Sequence, residues 1–342
     1  MDGTTKSIIL HIGANKTGSS AIQEFLRLNA ADLPRLGLSV PPGDLSRDGK
    51  VTGQHVWFIE QQRKEISAGR LRIMKRVDRL MAELEPGARL IISAENLALR
   101  SREGKGADDW RLNGAQELFA DVARQYPMQI VLYVRRQDEL LLSSWQQWES
   151  KVSDDFWAWM LLATGREGNW RDVLEAWETI VPRENISVRI YERERMPGGD
   201  IVADFAQVLG IEKHLPELRL SRGAVNPSSA DAIVDIAKGN PLIFRDEHDN
   251  EFYNIVEQLT EGRYRRNPRE SILTHAQRCA ILQRYEDSNR WVRERYFPDL
   301  ATPLFAPQVA DACPVLGREK LEAQKWEAMA SLIFGLARRV LR

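Results

Sequence analysis

A short apolar segment, a glycine-bearing turn and an amphipathic segment follow one another over residues 8–23. The apolar segment is Ile8–Ile12, interrupted by His11, and the turn over residues 13–20 has the sequence GANKTGSS. After the turn, apolar residues recur at helical spacing, at Ala21, Ile22, Phe25 and Leu26. A strand, a loop and a helix in this order bring free backbone N–H groups and the positive end of a helix to one point. The sequence therefore predicts a site for a phosphate or sulfate at this turn.

The side chains of the turn strengthen this prediction. Lys16 adds a mobile positive charge, and the hydroxyl groups add hydrogen-bond donors. The simpler interpretation is an ordinary strand–helix turn whose serines cap the helix. The candidate cofactor-binding residues of the turn are Asn15, Lys16, Thr17, Gly18, Ser19 and Ser20.

The turn departs from the common nucleotide-binding loop, in which Lys and then Ser or Thr follow the second glycine. Gly13 and Gly18 keep the glycine spacing of that loop, but Ser19 stands where the lysine is expected. The lysine lies inside the loop instead, at position 16. This departure argues against an ordinary ATP or GTP kinase.

Short apolar strands alternate with helical patterns in the first 200 residues. The later strands are predicted at Arg89–Ser93, Gln129–Val134 and Val188–Tyr191. This alternation predicts an α/β fold with a central parallel sheet and helices on both faces. We expect one domain over residues 1–300, a linker over 301–316 and an amphipathic C-terminal helix over 317–342. Ligands of such sheets bind at the carboxyl ends of the strands, where Lys16, Glu95 and Arg135 are expected.

The third of these strand ends is a candidate phosphate site. Arg135 follows the strand, and Ser143 lies eight positions later in a helix that begins near Gln137. An arginine fork binds phosphate bidentately, and a serine hydroxyl donates to the same group. Arg136 and Ser144 have the same separation, so both registers remain open.

The two candidate segments together resemble a known enzyme family. HIGANKTGSS resembles the 5′-phosphosulfate loop of sulfotransferases that use 3′-phosphoadenosine-5′-phosphosulfate (PAPS), and Arg135, Ser143 and Trp145 match the spacing of their 3′-phosphate site. The resemblance to bacterial members implies a P-loop nucleotide-hydrolase-like fold and release of 3′,5′-adenosine bisphosphate (PAP). It also implies that Lys16 contacts the 5′-phosphate and the bridging oxygen. Gln137 replaces the family's usual proline and Trp145 its usual tyrosine, and Arg222 is a weaker match to a loop that covers the 3′-phosphate.

Sulfuryl transfer needs a base for the proton of the acceptor, and three residues are candidates. His55 has a suitable ordinary pKa and follows Gly53-Gln54, which is similar to a Gly-His-His or Gly-Gly-His segment of bacterial members. Glu95 follows a strand, and Glu24 lies one turn into the first helix. We expect Lys16, His55 and Glu95 to be the catalytic residues, with His55 as the first choice of base.

The acceptor itself is left open by the sequence. Tryptophans are dense between Trp145 and Trp177 and could stack on sugar rings, although core packing is the more common role of such residues. We expect a hydroxyl or amine on a small molecule, glycan, glycolipid or secondary metabolite. The alternatives are an ATP- and Mg²⁺-dependent phosphoryl-transfer enzyme and a non-catalytic binder of nucleotide or glycan.

Composition excludes several classes of partner and location. The 342 residues carry a net charge of −1, which gives no bias toward nucleic acid or membrane. Two cysteines exclude a disulfide scaffold, and no Cys/His cluster has metal-ligand spacing. We expect neither a secretory signal nor a transmembrane segment. We expect a cytoplasmic protein without a metal. Its C-terminal helix could pack on the domain, form a homodimer contact or touch a membrane, in that order of preference.

Overall fold

The computed structural model describes residues 4–45, 49, 51–56, 58–59, 65–98, 100–102, 110–112, 114–221, 229–267, 270–306 and 314–341. The chain divides into two compact units. The first is Met1–Arg135 with Asn169–Val225, and the second is Arg136–Gly168 with Asn226–Arg342. The sequence predicted one domain over residues 1–300, and the structure divides that stretch between the two units.

The elements follow the predicted alternation in the first unit and are mainly helical in the second. The strands are β1 (Ser7–His11), β2 (Leu38–Ser39), β3 (Arg89–Ser93), β4 (Arg100–Arg102), β5 (Trp110–Leu112), β6 (Met128–Val134) and β7 (Ile186–Ile190). The α-helices are α1 (Ser19–Leu28), α2 (Ile66–Ala82), α3 (Ala115–Leu118), α4 (Ala120–Gln125), α5 (Gln137–Ser144), α6 (Ser150–Val152), α7 (Phe156–Ala163), α8 (Trp170–Glu178), α9 (Ile201–Leu209), α10 (Asp231–Ala237), α11 (Glu251–Thr260), α12 (His275–Arg284), α13 (Glu286–Tyr296) and α14 (Arg318–Val340).

Five strands of the first unit form one sheet in the order β2-β3-β1-β6-β7. Every neighbouring pair is parallel, and β1 lies at the centre, with Ile9 opposite Ile91 on β3 and Gln129 on β6. The prediction of an α/β fold with a central parallel sheet is confirmed. Because all five strands run the same way, their carboxyl ends lie along one edge, as a ligand site of this fold requires.

Both faces of the sheet are buried, which explains why its strands are almost continuously apolar. On one face, Ile9 and Val131 pack with Phe25 of α1 and Phe205 of α9. The residues that alternate with them, such as Leu10, are also fully buried. The core therefore fixes α1 against the sheet, and with it the turn that precedes α1.

Three local features differ from what the sequence pattern predicts. The stretch from Gly37 to Gly53 is rich in Gly, Pro, Ser and Asp, a composition typical of a loop, but it contributes the short edge strand β2, which pairs with β3. Gly69 favours a break in the helical pattern, but it lies buried within α2. The sequence pattern over residues 115–124 predicts one helix, which the structure divides at Phe119, whose side chain is fully buried.

The second unit contains two separate apolar clusters. In one, Trp145 and Trp159 pack with Tyr285 and Leu141. In the other, Ala328 of α14 packs against α10 and α11. The predicted linker contains Leu304 and Phe305, both buried. Within the described ranges, no helix combines the length and apolar character needed to cross a bilayer.

Candidate active site

The turn between β1 and α1 adopts a conformation that depends on its glycines. Gly13 and Gly18 have left-handed backbone angles, with φ of 47° and 81°. Side chains would also collide there: a Cβ on Gly13 would lie 3.1 Å from Glu95 Cα, and one on Gly18 would lie 3.0 Å from Tyr191 Cε2. Lys16 is left-handed as well, with φ of 64°, which is uncommon for a residue with a side chain. The backbone conformation of the loop therefore depends on these glycines, and the loop lies against Glu95, which follows β3, and Tyr191, which follows β7.

Two of the hydroxyl groups predicted to bind the anion are used by the loop itself. Thr17 Oγ1 donates to the carbonyl oxygen of Ala14 at 2.6 Å, and Ser19 Oγ donates to the same oxygen at 3.1 Å. Thr17 and Ser19 are both buried, whereas Asn15, Lys16 and Ser20 are partly exposed. The main chain, Lys16 and Ser20 therefore remain the groups best suited to a bound anion.

The N-terminus of α1 is open at this point. Its N-cap residue is Gly18, and no side chain in the described part of the chain caps the helix. The first N–H groups of a helix have no partner within the helix, and they carry its positive partial charge. The interpretation of an ordinary serine-capped turn is therefore wrong for this helix.

Arg135 is joined to the loop within the first unit. Its Nη1 donates to the carbonyl oxygen of Lys16 at 2.7 Å, and its guanidinium lies 5.4 Å from the ring centroid of Tyr191. Trp170 Nε1 donates to the carbonyl oxygen of Arg135 at 3.0 Å. The sequence placed Arg135 at this edge of the sheet. It did not identify Tyr191 as part of the site, although Tyr191 is the last residue of a predicted strand.

Glu95 lies against the same loop from the side of β3. It is partly buried, and a Cβ on Gly13 would lie 3.5 Å from its Cγ. Burial raises the pKa of Glu95 to about 7, and the positive charge of Lys16 opposes this rise. A carboxyl group with this pKa changes its protonation near neutrality, as a general base must.

His55 is placed differently from what a catalytic base requires. Its side chain is 1% exposed. The Ser93 N–H donates to Nδ1 at 3.0 Å, so the proton resides on Nε2, which donates to the Pro41 carbonyl oxygen at 3.1 Å. Burial lowers the pKa of His55, although the hydrogen bond to the Pro41 carbonyl oxygen acts in the opposite direction. The ring of His55 thus connects the loop at Pro41, through Nε2, to the end of β3 at Ser93, through Nδ1.

A second buried histidine lies beside this connection. His11 Nδ1 is 2.8 Å from Ser93 Oγ, and its Nε2 has no partner among the described residues. Burial lowers the pKa of His11 to about 3. A histidine within an apolar strand is expected to be structural, and one of the two ring nitrogens of His11 has a partner among the described residues. Ser93 therefore links two neutral histidines at the carboxyl edge of the sheet.

The residues of the alternative phosphate register have partners within the second unit. Arg136 Nε donates to Asp138 Oδ1 at 2.8 Å, and Arg278 Nε donates to Asp138 Oδ2 at 2.8 Å. Ser144 Oγ donates to Glu167 Oε1 at 2.6 Å, and burial raises the pKa of Glu167 to about 7. Asp138 is fully buried, a role that the sequence pattern did not reveal. These contacts give Arg136 and Ser144 a structural explanation of their own.

The remaining candidates lie elsewhere or outside the described residues. Ser143 belongs to the second unit and is 3% exposed, and Arg222 lies outside the described residues. Glu24 forms a two-pronged pair with Arg27 on α1, with both distances at 2.7 Å. Of the dense tryptophans, four are buried, which favours the core interpretation: Trp145, Trp159, Trp170 and Trp177.

A cleft of about 280 Å³ opens beside the loop in the first unit. Tyr191 and Ile201 form part of its wall, and both lie within 3.1 Å of a Cβ placed on Gly18. Ala21 and Phe25 contribute one side of α1. Among the residues that the structure describes, no three His, Cys, Asp or Glu side chains come together as a metal site would require.

Comparisons with known proteins give limited relationships. No family model matches the chain. It is similar to an uncharacterized protein of Archaeoglobus fulgidus, with 28% identity over 170 residues, which covers 49% of this chain and 45% of that protein. The matched region thus spans less than half of the archaeal protein. The chain is also similar to a solved structure of a sulfotransferase from Alicyclobacillus acidocaldarius, with 14% identity and a TM-score of 0.35, covering 64% of this chain and 86% of that one.

Proposed function

We propose that the chain is a PAPS-dependent sulfotransferase with a P-loop-like nucleotide site. The observation that carries the proposal is the meeting of Lys16 and Glu95 at the glycine loop, where the charge of Lys16 acts on the carboxyl group of Glu95. A cation and a carboxyl group with a pKa of about 7, beside an open helix N-terminus, supply the two functions that sulfuryl transfer needs.

In this proposal the loop holds the 5′ end of the donor. Main-chain N–H groups at the start of α1 bind the phosphosulfate, and Lys16 neutralises the charge that develops on the oxygen between phosphorus and sulfur. Arg135 holds the loop through the carbonyl oxygen of Lys16. The cleft beside Tyr191 is of a size to accept the nucleoside. The contributions of Ser143 and Arg222 to the 3′-phosphate remain predictions from the sequence.

Glu95 takes the role of base in place of the first choice, His55. Glu95 accepts the proton of the acceptor hydroxyl or amine as the new bond to sulfur forms. The bond between sulfur and the bridging oxygen breaks, and PAP leaves with the electron pair. His55 instead positions the strand end that carries Glu95, because its ring bonds to the backbone of Ser93, two residues before Glu95. The acceptor is a small molecule or glycan, and the reaction requires no metal.

Calorimetric titration with PAP and with ATP, each with and without Mg²⁺, tests the donor site. We expect metal-independent binding of PAP and weak binding of ATP. Binding of ATP that requires Mg²⁺, without a response to PAP, would contradict the proposal and favour phosphoryl transfer. Binding of PAP without turnover of PAPS on a panel of glycan, phenol and amine acceptors would favour a non-catalytic binder.

A further inference from the structure

The C-terminal helix α14 exposes an apolar stripe that the described residues of its own unit leave uncovered. One side of α14 packs on the second unit through Ala328, and Tyr264 shares a hydrogen bond of 2.9 Å with Ser331. On the opposite side, Trp326, Ile333 and Val340 are 69%, 68% and 84% exposed. Two large apolar neighbours, Phe334 at 65% and Leu341 at 86%, widen the stripe. Isolated exposed apolar residues are common, but a contiguous row along a helix marks an interaction surface.

The stripe has the spacing of a helix–helix seam. Trp326, Ile333 and Val340 recur every seven residues, and exposed alanines at 323, 330 and 337 alternate with them. A seven-residue repeat of this kind keeps one face turned toward a partner helix. Small residues between large ones let two helix axes approach closely.

The charged residues beside the stripe indicate whether a partner helix runs parallel or antiparallel to α14. Glu327 flanks its N-terminal half, and Arg338 flanks the same side of its C-terminal half. In a parallel pair of identical helices, Glu327 would lie beside Glu327 of the other helix, and Arg338 beside Arg338. In an antiparallel pair centred on Ile333, Glu327 of one helix instead lies near Arg338 of the other, and the twofold symmetry repeats this contact. The same arrangement sets Trp326 across from Val340.

We propose that α14 is a self-association surface, on which a second copy of this chain docks with its own α14 antiparallel and Ile333 on the twofold axis. The surface is self-complementary in shape and in charge, as a twofold contact requires. With Ile333 on the axis, the two helices overlap over residues 326–340, the stretch that holds Trp326, Ile333 and Val340. The proposal concerns assembly and stands whether or not the chain transfers sulfuryl groups.

Sedimentation of the full chain over a range of concentrations tests the association. We expect twice the chain mass of 39.2 kDa for the wild type. For Ile333→Glu we expect a monomer that still unfolds cooperatively, with a midpoint that does not depend on protein concentration. Leu242→Glu is the matched control, because Leu242 is 95% exposed in the same unit and lies outside the stripe, and it should remain a dimer. A wild-type monomer at every concentration, or a dimer of Ile333→Glu, would overturn the proposal.

Two further variants test the direction of the pair. In a chain with Cys279→Ser and Cys313→Ser, mild oxidation should cross-link Ile333→Cys to itself and leave Trp326→Cys uncross-linked. Efficient cross-linking of Trp326→Cys would indicate parallel helices and contradict the antiparallel arrangement. Glu327→Arg and Arg338→Glu should each weaken the dimer, and the double variant should restore it. Monomeric chain that binds to lipid vesicles through α14 would instead identify a membrane as the occupant.

Discussion

The guanidinium of Arg135 donates a hydrogen bond of 2.7 Å to the carbonyl oxygen of Lys16. This contact joins two strand ends of the sheet, because Lys16 follows β1 and Arg135 follows β6. Lys16 has a left-handed backbone, a conformation that costs energy for a residue with a side chain. The bond from Arg135 therefore helps hold the only lysine of the loop in its unusual conformation.

Lys16→Ala should abolish turnover and leave the fold intact. In the proposed mechanism Lys16 supplies the charge that the leaving phosphate needs, and loss of one such group typically costs about 10²–10³-fold in rate. Steady-state rates and the thermal unfolding midpoint should be measured together. Lys213→Ala is the control, since Lys213 is an exposed lysine of the same unit. Near-normal activity of Lys16→Ala would remove Lys16 from the mechanism.

Arg135→Lys should weaken PAP binding by about tenfold, the loss expected when one charge-assisted hydrogen bond disappears. A lysine keeps the charge but cannot bond the Lys16 carbonyl and stack on Tyr191 with the same fork. Calorimetry with PAP measures the loss. Arg183→Lys, on an exposed turn of the same unit, should bind as the wild type does. Equal PAP affinities of the wild type, Arg135→Lys and Arg183→Lys would show that Arg135 does not organise the site.

Glu95→Gln should remove the acid limb of the pH–rate profile. The wild-type rate should rise with pH through about 7, because the base acts when its carboxyl group has lost its proton. Glu24→Gln is the matched control, because Glu24 is paired with Arg27 on α1. If Glu95→Gln retains both the rate and the acid limb, another group is the base.

Glu95 should also change how stability depends on pH. Burial raises its folded-state pKa from the ordinary 4.5 to about 7, so the folded chain holds the proton more tightly than the unfolded chain. Its stabilising contribution is therefore present below pH 4.5 and lost as pH rises through 7. Relative to the wild type, Glu95→Gln should gain stability between pH 5 and pH 8, by about 3 kcal/mol at most. Denaturant unfolding of the wild type and Glu95→Gln at the two pH values measures the gain. A difference in stability between the two proteins that is the same at both pH values would contradict the prediction.

His55→Ala should destabilise the first unit by about 1–3 kcal/mol, because it leaves buried backbone groups of Ser93 and Pro41 without a partner. The variant should keep the pH profile of the wild type, since the base is a different residue. Denaturant unfolding and pH–rate measurements distinguish the two roles. If His55→Ala is as stable as the wild type but inactive, His55 is the general base.

Ser143→Ala and Ser144→Ala form a matched pair that tests the phosphate register. The sequence prediction assigns Ser143 to the 3′-phosphate, so its alanine variant should lower PAP affinity. Ser144 donates to Glu167, so its alanine variant should lower stability and leave affinity unchanged. Calorimetry and thermal unfolding of both variants decide the register, and the reverse pattern would favour Arg136 with Ser144.

The sequence by itself determined the strand–loop–helix unit, the parallel sheet and the edge at which Lys16, Glu95 and Arg135 lie. These features follow from glycine spacing and from the periodicity of apolar residues, which are local properties of the chain.

Tertiary structure decided which of these residues share a site and which are structural. His55 is held by a strand end 38 residues away, and Glu95 meets the loop of Gly13 across the sheet. Thr17 and Ser19 turn their hydroxyl groups toward Ala14 rather than outward. Burial and hydrogen bonding between distant segments set the pKa and the availability of each side chain, and no local pattern in the sequence records those contacts.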